Sequence, residues 1–271
     1  ELIKEHRYFM LIFCNLSMIC TGDLPMKNAL SFTLLLICIG GCQLIGVEKG
    51  NGQIDSHKRL VAFYNEVRLT GNFEIHLKPG PKSQVVIVTD DNLLHYIQTE
   101  VDNGLLEVTT DKKLQSDHGI KIFLTYEELN RITSIGASII KTDGQIVTER
   151  FELEVPGASL VDLDLDVTDL EVMLAGAASV KLKGRANNQE LSLNGVGHVE
   201  AFNLESQWCR VTVSGMGEAE VNVKENLNAR VNGVGSISYS GNPEKVDEKV
   251  SGLGTIRPRD GNEEEDPSER I

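Results

Sequence analysis

Downstream of residue 130, apolar and polar residues alternate with period two on both sides of a recurring glycine. The motif is apolar–x–Gly–x–small, seen as SIGAS, VPGAS, LAGAA, LNGVG, VSGMG, VNGVG and VSGLG. Its glycines are Gly136, Gly157, Gly176, Gly195, Gly215, Gly233 and Gly252, which recur at a nearly constant interval. Four positions after each glycine stand Ile140, Val161, Val180, Val199, Ala219, Ile237 and Ile256, all apolar. The next position is always polar: Lys141, Asp162, Lys181, Glu200, Glu220, Ser238 and Arg257. Two, four and six positions before the glycine the columns are again mostly apolar, with Val213, Val211 and Cys209 in one repeat. Period two is the strand period. A unit of about 19 residues cannot bury its own apolar face, but stacked units turn each column into a continuous inward ladder. The pattern therefore predicts an all-β chain: a parallel β-helix or β-solenoid of about seven rungs. The seven glycines are expected at its tight corners, where a positive φ or a close backbone approach leaves no room for a Cβ.

Residues 60–129 also read as strands, without the glycine ladder. Residues 67–77 alternate around Gly71-Asn72, 85–88 are a buried run, and 120–125 form another strand. The sequence Asp102-Asn103-Gly104 predicts a tight hairpin turn, and 90–97 a short helical turn. These strands are expected to be the opening turns of the solenoid, capping its first end.

The N-terminal region carries an address rather than a fold. Met26 is expected to be the true start, with an upstream extension before it. Lys27 is followed by an apolar stretch over 29–39, too short to span a bilayer. It ends in Ile39-Gly40-Gly41-Cys42, which resembles a bacterial lipobox with Cys42 as the acylated residue. The expected organisation is a leader over residues 1–41 and a lipidated Cys with a tether over 42–57. A domain follows over 58–258, and an acidic disordered tail over 259–271. Cys209 is then the single cysteine beyond Cys42, so no intrachain disulfide is available. It falls in an inward column and is expected to act as a small buried hydrophobe.

The formal charge of −14, from 26 basic and 40 acidic residues, argues against nucleic acid as a partner. No HExxH, CxxC, Walker A or GxSxG element is present, and no cofactor is expected. The one charge pattern that invites chemistry is Asp162, Asp164 and Asp166, followed one repeat later by Lys181 and Lys183. On a strand, alternate residues lie about 6.8 Å apart, so three carboxylates form a row rather than a calcium cage. A cross-rung Asp–Lys ladder on the solvent face is the expectation. A ligand or divalent-cation face on these five residues is the alternative, and no metal site is assigned. The histidines show no metal-ligand spacing and are expected on the surface, and Trp208 is expected in a turn between rungs.

The segments FYNEVRLTGNFEIHLKPG, IKIFLTYEELNRITSIGAS and NGVGSISYSGNPEKVDEKVSGLGTI, with the glycine repeat between them, resemble the head GIN domain family of putative autotransporter adhesins. The resemblance covers residues 60–257. It implies a right-handed parallel β-helix on the bacterial cell envelope and supplies no catalytic residues. The expected function is that of a lipid-anchored, non-enzymatic binding or adhesion module, in the outer membrane rather than the inner. Its partners would be the membrane, through the lipid, and a glycan or a cell-surface protein. A polysaccharide-active β-helix enzyme and a purely structural envelope protein are the competing readings.

Overall fold

A computed structural model of the chain describes residues 46–259. Cys42, the leader and all of the tail after Arg259 lie outside the described residues. Nine strands make up the first half: β1 (Val47–Lys49), β2 (Ile54–Leu60), β3 (Glu66–Thr70), β4 (Glu74–Pro79), β5 (Gln84–Asp90), β6 (Ile97–Asp102), β7 (Leu105–Thr110), β8 (Lys113–Gln115) and β9 (Lys121–Tyr126). A 3₁₀ turn over Asp91–Tyr96 joins β5 to β6. The repeats follow as β10 (Arg131–Ser134), β11 (Ala137–Thr142), β12 (Ile146–Val155), β13 (Ala158–Leu174), β14 (Ala177–Leu193), β15 (Val196–Val213), β16 (Met216–Val231), β17 (Val234–Ser240), β18 (Lys245–Val250) and β19 (Leu253–Pro258).

Every glycine of the repeat falls in a gap between two strands, and the strands of successive repeats pair in parallel. The register follows the columns residue for residue. Val161 pairs with Val180, Val180 with Val199, Val199 with Ala219, Ala219 with Ile237 and Ile237 with Ile256. Small irregularities in the glycine interval have local causes. The extra residue between Gly195 and Gly215 is absorbed by bulges in β15, where the register shifts between Lys181 and Lys183 on one side. The longer gap between Gly136 and Gly157 accommodates the turn after β11, where Gly144 has a φ of 141°.

The corner glycines have negative or extended φ, so left-handed backbone is not what excludes a side chain there. Close approach excludes it. A Cβ on Gly157, Gly176, Gly195, Gly215, Gly233 or Gly252 would overlap the carbonyl oxygen of the glycine one rung below. The column also extends one rung further than the repeat motif, because Gly136 sits in the same way on Gly71.

Both inward columns continue into the first half. Ile140 pairs with Ile75 and Ile75 with Ile122; Ile132 pairs with Val67 and Val67 with Leu106. The rungs are not stacked in chain order, however. The rung made by β3 and β4 lies between the later rung of β7 and β9 and the still later rung of β10 and β11. The chain gets there through β5 and β6, which run antiparallel to β9 and β7. The hairpin joining β6 to β7 turns at Asn103 and Gly104, with φ of 49° and 84°, the two positive φ values of a type I′ turn.

The expected tether is partly fold. Over residues 46–57, β1 pairs in parallel with β8, and β2 runs antiparallel to β5 from Ile54–Asp90 to Leu60–Gln84. The physical reason is the outer edge of β5, which would otherwise present unpaired backbone groups. The intervening loop closes on Asp90, whose Oδ1 accepts a 2.6 Å hydrogen bond from the Gly52 N–H.

One continuous apolar core fills the solenoid. Besides the columns read from the sequence, a second wall points inward. Its buried members include Leu163, Leu165 and Val167 of β13 and Leu182 and Ala186 of β14.

Candidate binding groove

Strands β13 to β15 bend where the alternation of inside and outside breaks. After Val167, Ala186 and Ser206 two residues in succession point outward before the next buried one, at Leu170, Gln189 and Cys209. This skipped beat turns the strand and opens a groove of about 490 Å³ along the stack. Residues in strict register line it. One column carries Arg150, Asp169, Asn188, Trp208, Asn226 and Lys245, one residue per rung. The next column, Leu170, Gln189, Cys209 and Leu227, is nearly buried and forms the floor. Trp208 lies within β15 rather than in a turn, and is 53% exposed at the middle of the groove.

Two ion pairs and two amide–carboxylate contacts stand along the groove. Arg150 holds Glu171 at 2.9 Å, Arg210 lies 4.0 Å from Glu190, and Asn188 donates a 2.7 Å hydrogen bond to Asp169. The Asn228 amide donates to Asp247 at 3.3 Å. One floor residue stands apart. Gln189 is 2% exposed, and neither its Nε2 nor its Oε1 has a hydrogen-bond partner. An unpaired buried amide typically costs about 1–3 kcal/mol. Its neighbours in the column, Leu170 and Cys209, carry no such burden. The Cys209 thiol is free and 4% exposed, and burial pushes its pKa up, which keeps it protonated and unreactive.

The Asp162 face lies elsewhere on β13. Asp162, Asp164 and Asp166 are registered against Lys181, Lys183 and Arg185 of β14. Lys183 reaches Asp164 at 3.8 Å and Arg185 reaches Asp166 at 2.8 Å, while Lys181 bonds upward to Glu200 at 2.9 Å. Gln145 also donates to Asp164 at 2.9 Å. The carboxylates stand in a row with cations between rungs. Among the described residues, no group of three or more His, Cys, Asp or Glu side chains is placed to hold a metal ion.

His76 is more enclosed than a surface histidine. It stacks on Phe123 with centroids 4.8 Å apart, and its two ring nitrogens lie 3.2 Å from Glu74 and 3.5 Å from Asp143. No sequence neighbour announces Asp143 as its partner, because the turn after β11 brings it there.

The structure therefore brings together Trp208, Asn188, Asn226 and Gln189, none of which the sequence marks as a site. Gln189 alone left a legible trace, as an amide within an otherwise apolar stretch of its column.

Residues 63–243 match the family described as putative auto-transporter adhesin, head GIN domain. The chain belongs to this family. Its fold is that of the solved relatives. A putative adhesin from Bacteroides fragilis is 26% identical, with a TM-score of 0.70 over 78% of this chain and 100% of that one. A putative lipid binding protein from Parabacteroides distasonis is 20% identical, with a TM-score of 0.64 over 79% of this chain and 100% of that one. A putative adhesin from Parabacteroides merdae is 18% identical, with a TM-score of 0.59 over 79% and 99% of the two chains. No curated protein matches the sequence of this chain. The head GIN family and the Bacteroides relative are described as adhesins and not as enzymes, a description that goes with the cell surface or envelope.

Proposed function

We propose that this head GIN protein is a non-enzymatic binding and adhesion module of the bacterial cell envelope, anchored by lipid on Cys42. The observation that carries the reading is the groove, where a half-exposed tryptophan sits on the stacked rungs beside the ion pairs Arg150–Glu171 and Arg210–Glu190. A large aromatic held open on a preorganised surface is an economical contact site, since little side-chain entropy is lost on binding. The motif Ile39-Gly40-Gly41-Cys42 supports acylation, and multiple acyl chains hold a protein stably at a membrane. Gln43 after the cysteine favours the outer membrane.

Two measurements test the proposal. The Cys42→Ala chain should leave the membrane fraction and appear in the soluble or secreted one, and unchanged fractionation would reject the anchor. Wild-type chain should bind saturably to a glycan array or to a panel of cell-surface proteins, without turning over what it binds. Release of shortened glycan products would reject the non-enzymatic reading.

A further inference from the structure

Three columns of outward positions meet at the glycine corner: one residue before each glycine, one after it and three after it. Over the seven repeats these columns hold no Lys, Arg or Asp and a single Glu, Glu218, in a chain with 26 basic and 40 acidic residues. The column five after the glycine, beside them, carries Lys141, Asp162, Lys181, Glu200 and Glu220. In the middle column Val196, Met216, Val234 and Leu253 stand in register on successive rungs. Ile135, Ile139 and Leu160 continue the apolar surface toward the capped end. These seven are among the sixteen large apolar side chains exposed in the described residues, so nearly half of them fall on one edge of the solenoid. Single exposed aliphatics are ordinary, but a contiguous apolar strip with a polar rim marks a contact surface. The start of the domain lies on the same corner. Thr70 pairs with Thr109 and Glu74 with Lys121, so the place that residues 71–73 take beneath Gly136 is taken in the outermost rung by the longer excursion 110–120. Strand β8 lies in that excursion and pairs with β1, which begins at Val47. Cys42 is five residues earlier, a reach of at most about 18 Å.

We infer that this aliphatic corner is a membrane-contact edge: the solenoid lies along the bilayer that holds its own lipid, with Val196, Met216, Val234 and Leu253 dipping into the interface. The inference rests on the reading of Cys42 as the anchor. An anchor so close to the fold keeps the domain at the bilayer surface, and the strip starts from the corner where that anchor attaches. The three columns hold no Phe, Tyr or Trp and few polar groups, so they offer water exclusion rather than directional contacts. Hydrocarbon at the lipid interface asks for nothing else. The absence of Lys and Arg makes the contact apolar rather than electrostatic, so it needs no anionic lipid. A second copy fits less well. Two convex edges meet along a line and exclude little water, whereas lipid head groups close around a single edge.

The test separates a solenoid lying on the bilayer from one standing upright on its anchor. Val234 is seven rungs from the outermost capped rung, about 34 Å along the stack, so an upright solenoid would hold it clear of lipid. The lipidated full chain carries Val234→Cys, or Asn187→Cys as a control midway along the chain between Ala177 and Val196 of the strip. A polarity-sensitive maleimide reports on the introduced cysteine alone, because Cys42 carries the lipid, the leader cysteines leave with the leader and the Cys209 thiol is buried. Each chain is reconstituted in vesicles of phosphatidylcholine containing phosphatidylcholine spin-labelled high on the acyl chain. The expected result is a blue shift and quenching at 234 and neither at 187. Adding Val196→Ser and Met216→Ser should bring quenching at 234 down to that at 187, while the chain still floats with the vesicles. All these side chains are exposed, so the variants should melt as the wild type does. Equal signals at 234 and 187 in a chain that floats, or quenching unmoved by the two serines, would overturn the inference and leave the anchor standing. A blue shift at 234 indifferent to the spin-labelled lipid would also overturn it and hand the strip to a second copy or another protein. A wild-type chain that does not float would remove the anchor and the inference together.

Discussion

At one end of the stack the outermost rung, β7 and β9, is flanked by antiparallel strands: β6 beside β7, and β5 beside β9 with β2 beyond it. At the other end β18 pairs with β16 and β19 with β17, and no further strand among the described residues is registered on their outer sides. The contrast shows in burial. Leu106, Val108, Ile122 and Leu124 of the capped rung are fully buried, whereas Val246, Val250 and Leu253 of the last rung are 39%, 45% and 78% exposed. The two ends share a fold and a register. What differs is whether antiparallel strands close the ladder or a charge discourages its extension. Glu248 stands where every other rung places an apolar residue, in register with Ala229. An inward-facing charge on an edge strand is a known guard against edge-to-edge association.

The largest effect that could break this comparison is steric. Gly215→Val places a side chain into the backbone of Gly195 and Asn194 in mid-stack, and should destabilise by about 3 kcal/mol or more. Gly252→Val meets the same obstacle from Gly233 but in the terminal rung, which can shift outward, and its loss of melting temperature should be clearly smaller. Equal losses would show that the open end is as rigid as the middle.

Next comes acid. The Ser116 hydroxyl, together with the Gly52 N–H, holds the Asp90 carboxyl below its ordinary value, outweighing the opposing effect of burial. A carboxylate whose folded pKa is depressed stabilises the fold fully above its unfolded pKa, near 4, and that stability is lost as pH falls through the folded value. Acidification should therefore loosen the capped end, seen as lower amide-exchange protection, relative to the intrinsic rate at each pH, in β2 and β5. Asp90→Asn should flatten this dependence, and an unchanged pH profile in the variant would assign the effect to other carboxylates.

Glu248→Leu should restore the apolar ladder at the open end. The expected outcome is a larger species by light scattering at high protein concentration, with a melting temperature at or slightly above wild type. A variant with the wild-type molar mass would mean that Glu248 is not the guard. The smallest effect is expected on the solvent face. Lys183→Ala removes an ion pair with both side chains well exposed, and should change stability by less than about 1 kcal/mol.

Much of the repeat was readable because its determinants are local. The period of two assigns each residue of a rung to inside or outside, and the glycine repeat sets where one rung meets the next. Leu153, Val172, Leu191 and Val211 could be placed opposite one another by counting alone, and the structure pairs them so. The second inward wall, with Leu163 and Leu165, lies beyond the columns that the glycine anchors, and its leucines alternate with Asp162, Asp164 and Asp166 on the solvent side. Residues 46–57 have the composition of a linker, and what makes strands of them, β8 for β1 and β5 for β2, comes only later in the chain.

Chain sequence alone thus determined the seven glycine-marked rungs, their register and the small residues at the corner, since each depends on spacings within one repeat or between adjacent repeats. It also pointed to the head GIN family. Only the tertiary structure decided that β3 and β4 lie between two later rungs, that β2 closes the edge of β5, and that Asn188, Trp208 and Asn226 share one groove above Gln189. The reason is physical. A ladder repeats one local rule, whereas a cap and a groove arise where that rule is interrupted, and an interruption carries no period from which its partners can be counted.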